Sequence, residues 1–121
     1  MFGLFLSKSG SKAMSIMWSS RQISSIKRIG VDDPRMSRIV VNNGVVYISG
    51  QTDATGKTIE GQTKNVLAKV DALLEEAGTD KSKLLTSSIW LKDRETDYDG
   101  FNDVWNNWID PDQKPVQKRS E

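Results

Sequence analysis

Apolar, largely β-branched positions bunch and alternate on either side of Asn43-Gly44. Val40, Val41, Val45, Val46, Tyr47 and Ile48 suit a pleated, half-buried surface. Asn-Gly tolerates the positive φ angles of a tight two-residue turn. The pattern predicts a hairpin with strands at about residues 36–42 and 45–50. Upstream, residues 26–30 alternate enough for a short first strand, ended by Asp32-Asp33-Pro34. Residues 51–57, with Asp53 and Gly56, read as a loop.

From residue 60 the period changes. Val66, Val70, Leu73 and Ala77, with Leu67 and Leu74 alongside, form one stripe on a helix of 3.6-residue period. That helix spans about 60–77, and Gly78 sits where a left-handed C-terminal cap belongs. Lys64, Lys69, Asp71, Glu75 and Glu76 read as its solvated face. Residues 85–92 return to strand alternation, with Leu85, Ser87, Ile89 and Leu91 on one side and Thr86, Ser88, Trp90 and Lys92 on the other. Thr96-Asp-Tyr-Asp99 matches a capping box for a second helix. Tyr98, Phe101, Trp105 and Trp108 follow at steps of three and four, and Pro111 ends the helix. The expected fold is α+β: β-β-β-α-β-α, a mixed sheet with two helices on one face.

The first quarter has another character. Residues 1–31 hold five Lys and Arg, eight Ser, and neither Asp nor Glu. Basic, serine-rich and acid-free is the composition of an organelle transit peptide. Phe2-Gly-Leu-Phe-Leu6 is short for the apolar region of a secretory signal, and no positive charge precedes it. A frayed tail without an address is the alternative. The chain therefore divides into a leader over 1–25 and a folded domain over 26–121, with mitochondria the expected destination and plastid or cytoplasm the alternatives. Cleavage near Ser25 removes three cations and takes the net charge from +1 to −2.

Composition narrows the chemistry further. At 121 residues the chain supports one domain. With no Cys and no His, it has no disulfide, no thiol nucleophile, and neither the commonest metal ligand nor the commonest neutral-pH base. No acidic spacing suits a calcium loop, so neither metal nor cofactor is expected. A net charge of +1 gives no footprint for nucleic acid. No apolar run approaches the ~20 residues of a membrane helix, so no membrane association is expected.

Ser49-Gly50-Gln51, the helix from Gln62 to Gly78, Ile89-Trp-Leu-Lys-Asp93 and Phe101-Asn102-Asp-Val-Trp105, in that order and spacing, resemble the RidA/YjgF family, also called L-PSP endoribonuclease-like proteins. The resemblance runs from about residue 26 to 116. It implies a chorismate mutase-like fold, a homotrimer in the full-length parent with ligand sites between subunits, and hydrolysis of reactive 2-imino and enamino acids to 2-keto acids and ammonia. In that chemistry an Arg holds the substrate carboxylate through two parallel hydrogen bonds, and a Glu orients the attacking water.

Carried over by position, Ser49 and Gly50 on the third strand and Asn102 on the second helix become substrate-binding candidates for a small imino or keto acid. Met36 stands where the family has a pocket tyrosine. The family's Arg follows a Pro-small pair; here Pro115-Val116 is followed by Gln117, which lacks the charge and the fork of donors. Arg119 lies two positions on, but the resemblance leaves no strand expected to hold it. The family's last two strands, with the water-orienting Glu, are missing from the pattern, and Glu121 comes too early to replace it. No catalytic residue is therefore assigned. The absent strands are expected to leave sheet edge and apolar surface uncovered. Four readings compete: an imine deaminase impaired in this form, a non-catalytic binder of small carboxylates, an RNA-binding or RNA-cleaving protein, and an inactive fragment.

Overall fold

A computed structural model describes the backbone of residues 2–8 and the whole of residues 25–121. Its strands are β1 (Phe2–Lys8), β2 (Lys27–Ile29), β3 (Ile39–Asn42), β4 (Val45–Gln51), β5 (Leu84–Trp90) and β6 (Val116–Ser120). Its helices are α1 (Ile59–Glu76), between β4 and β5, and α2 (Arg94–Trp108), between β5 and β6. The six strands form one mixed sheet in the order β2-β3-β4-β1-β5-β6. The expected class holds, and two strands are added to the expected element order.

The hairpin forms as its turn dipeptide dictates. Asn43 and Gly44 take φ of 51° and 74°, and Val41 pairs with Val46. Helix α1 starts on the Thr58 hydroxyl, which accepts the Gly61 N–H at 3.1 Å. It ends on Gly78 at φ 80°, where the N–H groups of Gly78 and Thr79 reach back to Glu75 O and Leu74 O. Between β4 and α1, the Asp53 carboxylate accepts the Gly56 N–H at 2.8 Å, the Asn65 amide at 3.1 Å and the Thr55 hydroxyl at 2.8 Å. These bonds, the one from Gly56 foremost, hold its pKa down at about 2. The loop is thereby folded onto α1.

Three boundaries differ from expectation. α2 begins at Arg94, two residues before the expected box, because Asp93 accepts the N–H groups of Glu95 and Thr96. On β5 it is Leu84 that is buried while Leu85 is exposed, since a register shift against β1 falls between Leu6 and Ser7. The chain also does not stop short of a strand after α2. Residues 116–120 form β6, parallel to β5, with Ser87 opposite Gln117 and Ile89 opposite Arg119, and the Leu91 N–H donates to Ser120 O at 2.9 Å.

The folded unit also reaches past the boundary expected at residue 26. β1 is antiparallel to both neighbours, with Phe5 opposite Ile48 on β4 and Leu4 opposite Ser88 on β5. It lies in the middle of the sheet. The remainder of the expected leader, apart from Ser25, lies outside the described residues.

One core lies between the sheet and both helices. Ile39, Val46, Ile48 and Ile89 meet Val66, Leu67, Val70 and Leu74 of α1 and Phe101 and Trp105 of α2. Trp105 stacks on Phe101 with ring centroids 5.8 Å apart. Among the described residues no helix covers the opposite face of the sheet, and Tyr47, Trp90 and Val116 are exposed on it.

Candidate functional site

Polar groups gather where β6 runs beside α2. Strand alternation sends Gln117 and Arg119 to the helix side, since their register partners Ser87 and Ile89 are buried. The Arg119 guanidinium lies over the Tyr98 ring at 4.9 Å and the Phe101 ring at 5.1 Å. Its Nε donates to Gln117 Oε1 at 2.7 Å. That leaves the two terminal nitrogens as donors, and among the described residues no carboxylate pairs with them. The Gln117 Nε2 group and the Ser87 hydroxyl, on facing strands, are buried without a hydrogen-bond partner among the described residues.

α2 supplies the rest of this corner. Arg94 sits 5.9 Å from the Tyr98 ring, and its backbone N–H donates to Glu121 Oε2 at 3.0 Å. Asn102 is half-buried and follows Tyr98 by one helical turn, so it shares a flank of α2 with the ring beneath Arg119. The corner is a pre-oriented cation with neutral donors behind it. Such a set recognises a small anion, and a planar carboxylate best of all.

Ser49 is elsewhere. Val46 and Ile48 face the core, so Ser49 points to the uncovered face with Tyr47. Its hydroxyl accepts from Gln51 Nε2 at 3.2 Å, and its carbonyl accepts from the same nitrogen at 3.0 Å. β1 and β5 stand between β4 and β6, so Ser49 and Arg119 lie three strand spacings apart, ~14 Å, on opposite faces. Gly50, half-buried, follows Ser49 where the register between β4 and β1 shifts. Asn102 and Arg119 share a corner of one chain; Ser49 does not join them.

A family model described as endoribonuclease L-PSP matches residues 32–120. The chain belongs to the RidA/YjgF family. A RutC family protein of Haemophilus ducreyi is 36% identical over 92 residues, covering 74% of this chain and 76% of that protein. The mitochondrial protein mmf1 of Schizosaccharomyces pombe is 34% identical over 98 residues, covering 72% of this chain and 59% of its own length. A crystal structure of a YjgF family member from Neisseria meningitidis superposes with a TM-score of 0.78 at 34% identity, covering 83% of each chain.

The RidA/YjgF match takes in Ser49, Gly50, Asn102, Gln117 and Arg119, and begins well after β1. Met36, expected from the resemblance at a pocket position, is exposed. Sequence reasoning named Arg119 but found nothing to hold it. The signal it lacked was the β6 pairing, since Val116-Gln-Lys-Arg-Ser120 carries little apolar character of its own.

Proposed function

We propose that this RidA/YjgF protein binds small 2-keto and 2-imino carboxylates, and that hydrolysis of the imines is impaired in this form. The observation that carries the reading is the Arg119 guanidinium, laid over Tyr98 and Phe101 with its terminal nitrogens unclaimed by any described carboxylate. It supplies the two-donor clamp a carboxylate needs, two positions beyond Gln117, and Asn102 stands on the same flank of α2. Arg119→Lys removes the fork and leaves the charge. By the worth of a charge-assisted hydrogen bond it should weaken 2-oxobutanoate binding roughly 10- to 100-fold. Calorimetric titration of both proteins measures this, and equal affinities would remove Arg119 from the site.

The site reading also calls for assembly. Ser49 reaches a ligand held by Arg119 only if a second subunit presents it, and the exposed Tyr47, Trp90 and Val116 offer an apolar face for that contact. We propose a trimer. Light scattering should give the mass of three chains, and a monodisperse monomer would refute this.

Mitochondrial import is proposed from the acid-free, serine-rich N-terminus and the likeness to mmf1. Because Phe2–Lys8 is a central strand, import goes with retention of the N-terminal residues and not with cleavage near Ser25. A fluorescent fusion of the full chain should localise to mitochondria with its N-terminus intact. Cytosolic fluorescence, or a processed N-terminus at residue 25, contradicts one half or the other.

A further inference from the structure

The helical layer carries a second concave feature, away from Arg119 and Ser49. A groove of about 310 Å³ runs between α1 and α2, within the usual range for small-ligand sites. Its apolar lining comes from Leu67 and Ala68 on α1 and from Val104 and Trp108 on α2. Trp108 is fixed there by its own chemistry. Its indole Nε1 donates to Asp71 Oδ2 at 2.9 Å, and its ring lies 5.3 Å from that of Trp105. Held at edge and face, the ring is a rigid flat surface that costs little entropy to present.

The charges around the groove are not balanced. Lys81, just before β5, places its ammonium 5.3 Å from the Trp108 ring centroid. Lys64, on α1, is exposed at the same groove and takes no ion pair among the described residues. The one carboxylate in the lining, Asp71, accepts the indole N–H and keeps its charge, so two ammonium groups face one carboxylate. A ligand entering there meets two ammonium groups and a flat apolar wall. Anions are favoured over cations, and neutral ring compounds gain only the wall.

We propose that this groove is a binding site for a small aryl carboxylate, its ring stacked along Trp108 and its carboxylate between Lys64 and Lys81. The groove is lined by the helices, whereas the face proposed for subunit contact lies across the sheet, so the site stays open in a trimer. Its occupant and that of the Arg119 corner differ in the need for an aromatic body.

The test is a nuclear magnetic resonance titration of the full chain with 2-naphthoate, read at the indole N–H of Trp108 and the backbone amides of residues 64–71 and 104–108. Saturable shifts are expected below roughly 10 mM ligand, weakening as salt is raised. Lys64→Gln and Lys81→Gln, changes at an exposed and a half-buried lysine, should each weaken binding several-fold, and the corresponding naphthyl amine should leave these signals in place. Absence of shifts, equal shifts with the amine, or affinity indifferent to both lysine changes would overturn the proposal. Unaltered 2-oxobutanoate binding in the lysine variants keeps this outcome separate from that at Arg119.

Discussion

Phe5→Pro will lower the melting temperature of this protein by roughly 10 °C, corresponding to about 3 kcal/mol, the top of the ordinary range for one substitution. The expectation follows from where β1 sits. It stands between β4 and β5, and Phe5 lies opposite Ile48 on one and Ser87 on the other. Proline there removes a ladder donor and forces its ring into a strand bonded on both sides. The buried residues of β4 and β5, among them Ile48 and Ile89, then lose the element that joins their halves of the sheet. Thermal unfolding of the variant beside the unchanged protein measures the effect. A shift of one or two degrees would mean that residues 2–8 add little to the folded unit.

The second large effect concerns catalysis. The unmodified chain should release no ammonia or keto acid above the uncatalysed rate from freshly generated 2-aminoacrylate or 2-iminobutanoate. Removing a general acid or base typically costs ~10²–10⁴-fold, and among the described residues no carboxylate pairs with Arg119 to fill that role. Glu121 is tied to the Arg94 N–H at the start of α2, and the chain has no His. Gln117→Arg alone should not restore turnover. It adds a second guanidinium beside Arg119 and supplies no group to orient water, while removing the acceptor that now takes the Arg119 Nε–H. Robust turnover by the unmodified chain would show that the chemistry resides on other residues.

Local chemistry decided which elements could be read from the sequence. Asn43-Gly44 and the two runs beside it set the hairpin, and the stripe from Val66 to Ala77 with Gly78 behind it set α1, because turn geometry and helical period are written in adjacent residues. β1 and β6 were missed for opposite reasons. Phe2-Gly-Leu-Phe-Leu6 is apolar but lies in a leader-like composition, and its pairing with strands more than 35 residues away leaves no local mark. Val116-Gln-Lys-Arg-Ser120 is polar because it is an edge strand, where charge discourages pairing with other chains. Asp93 displaced the expected cap because its carboxylate takes two N–H groups of the helix start.

The candidate site was legible in part. Asn102 came from the order of motifs, and one helical turn links it to Tyr98 beneath Arg119. Ser49 came the same way but lies across the sheet, a separation that follows from strand order and not from sequence spacing. Arg119 became interpretable only with β6 in place, since its partner across the sheet, Ile89, sets the face it uses.

The most direct test of a carboxylate site at the β6–α2 corner is to locate bound 2-oxobutanoate by chemical-shift mapping of side chains as well as backbone. The account predicts that the largest saturable changes fall on the Arg119 Nε–H, the Gln117 side-chain amide, and the Tyr98 and Phe101 rings. Changes centred elsewhere, or none at a saturating concentration, would contradict it.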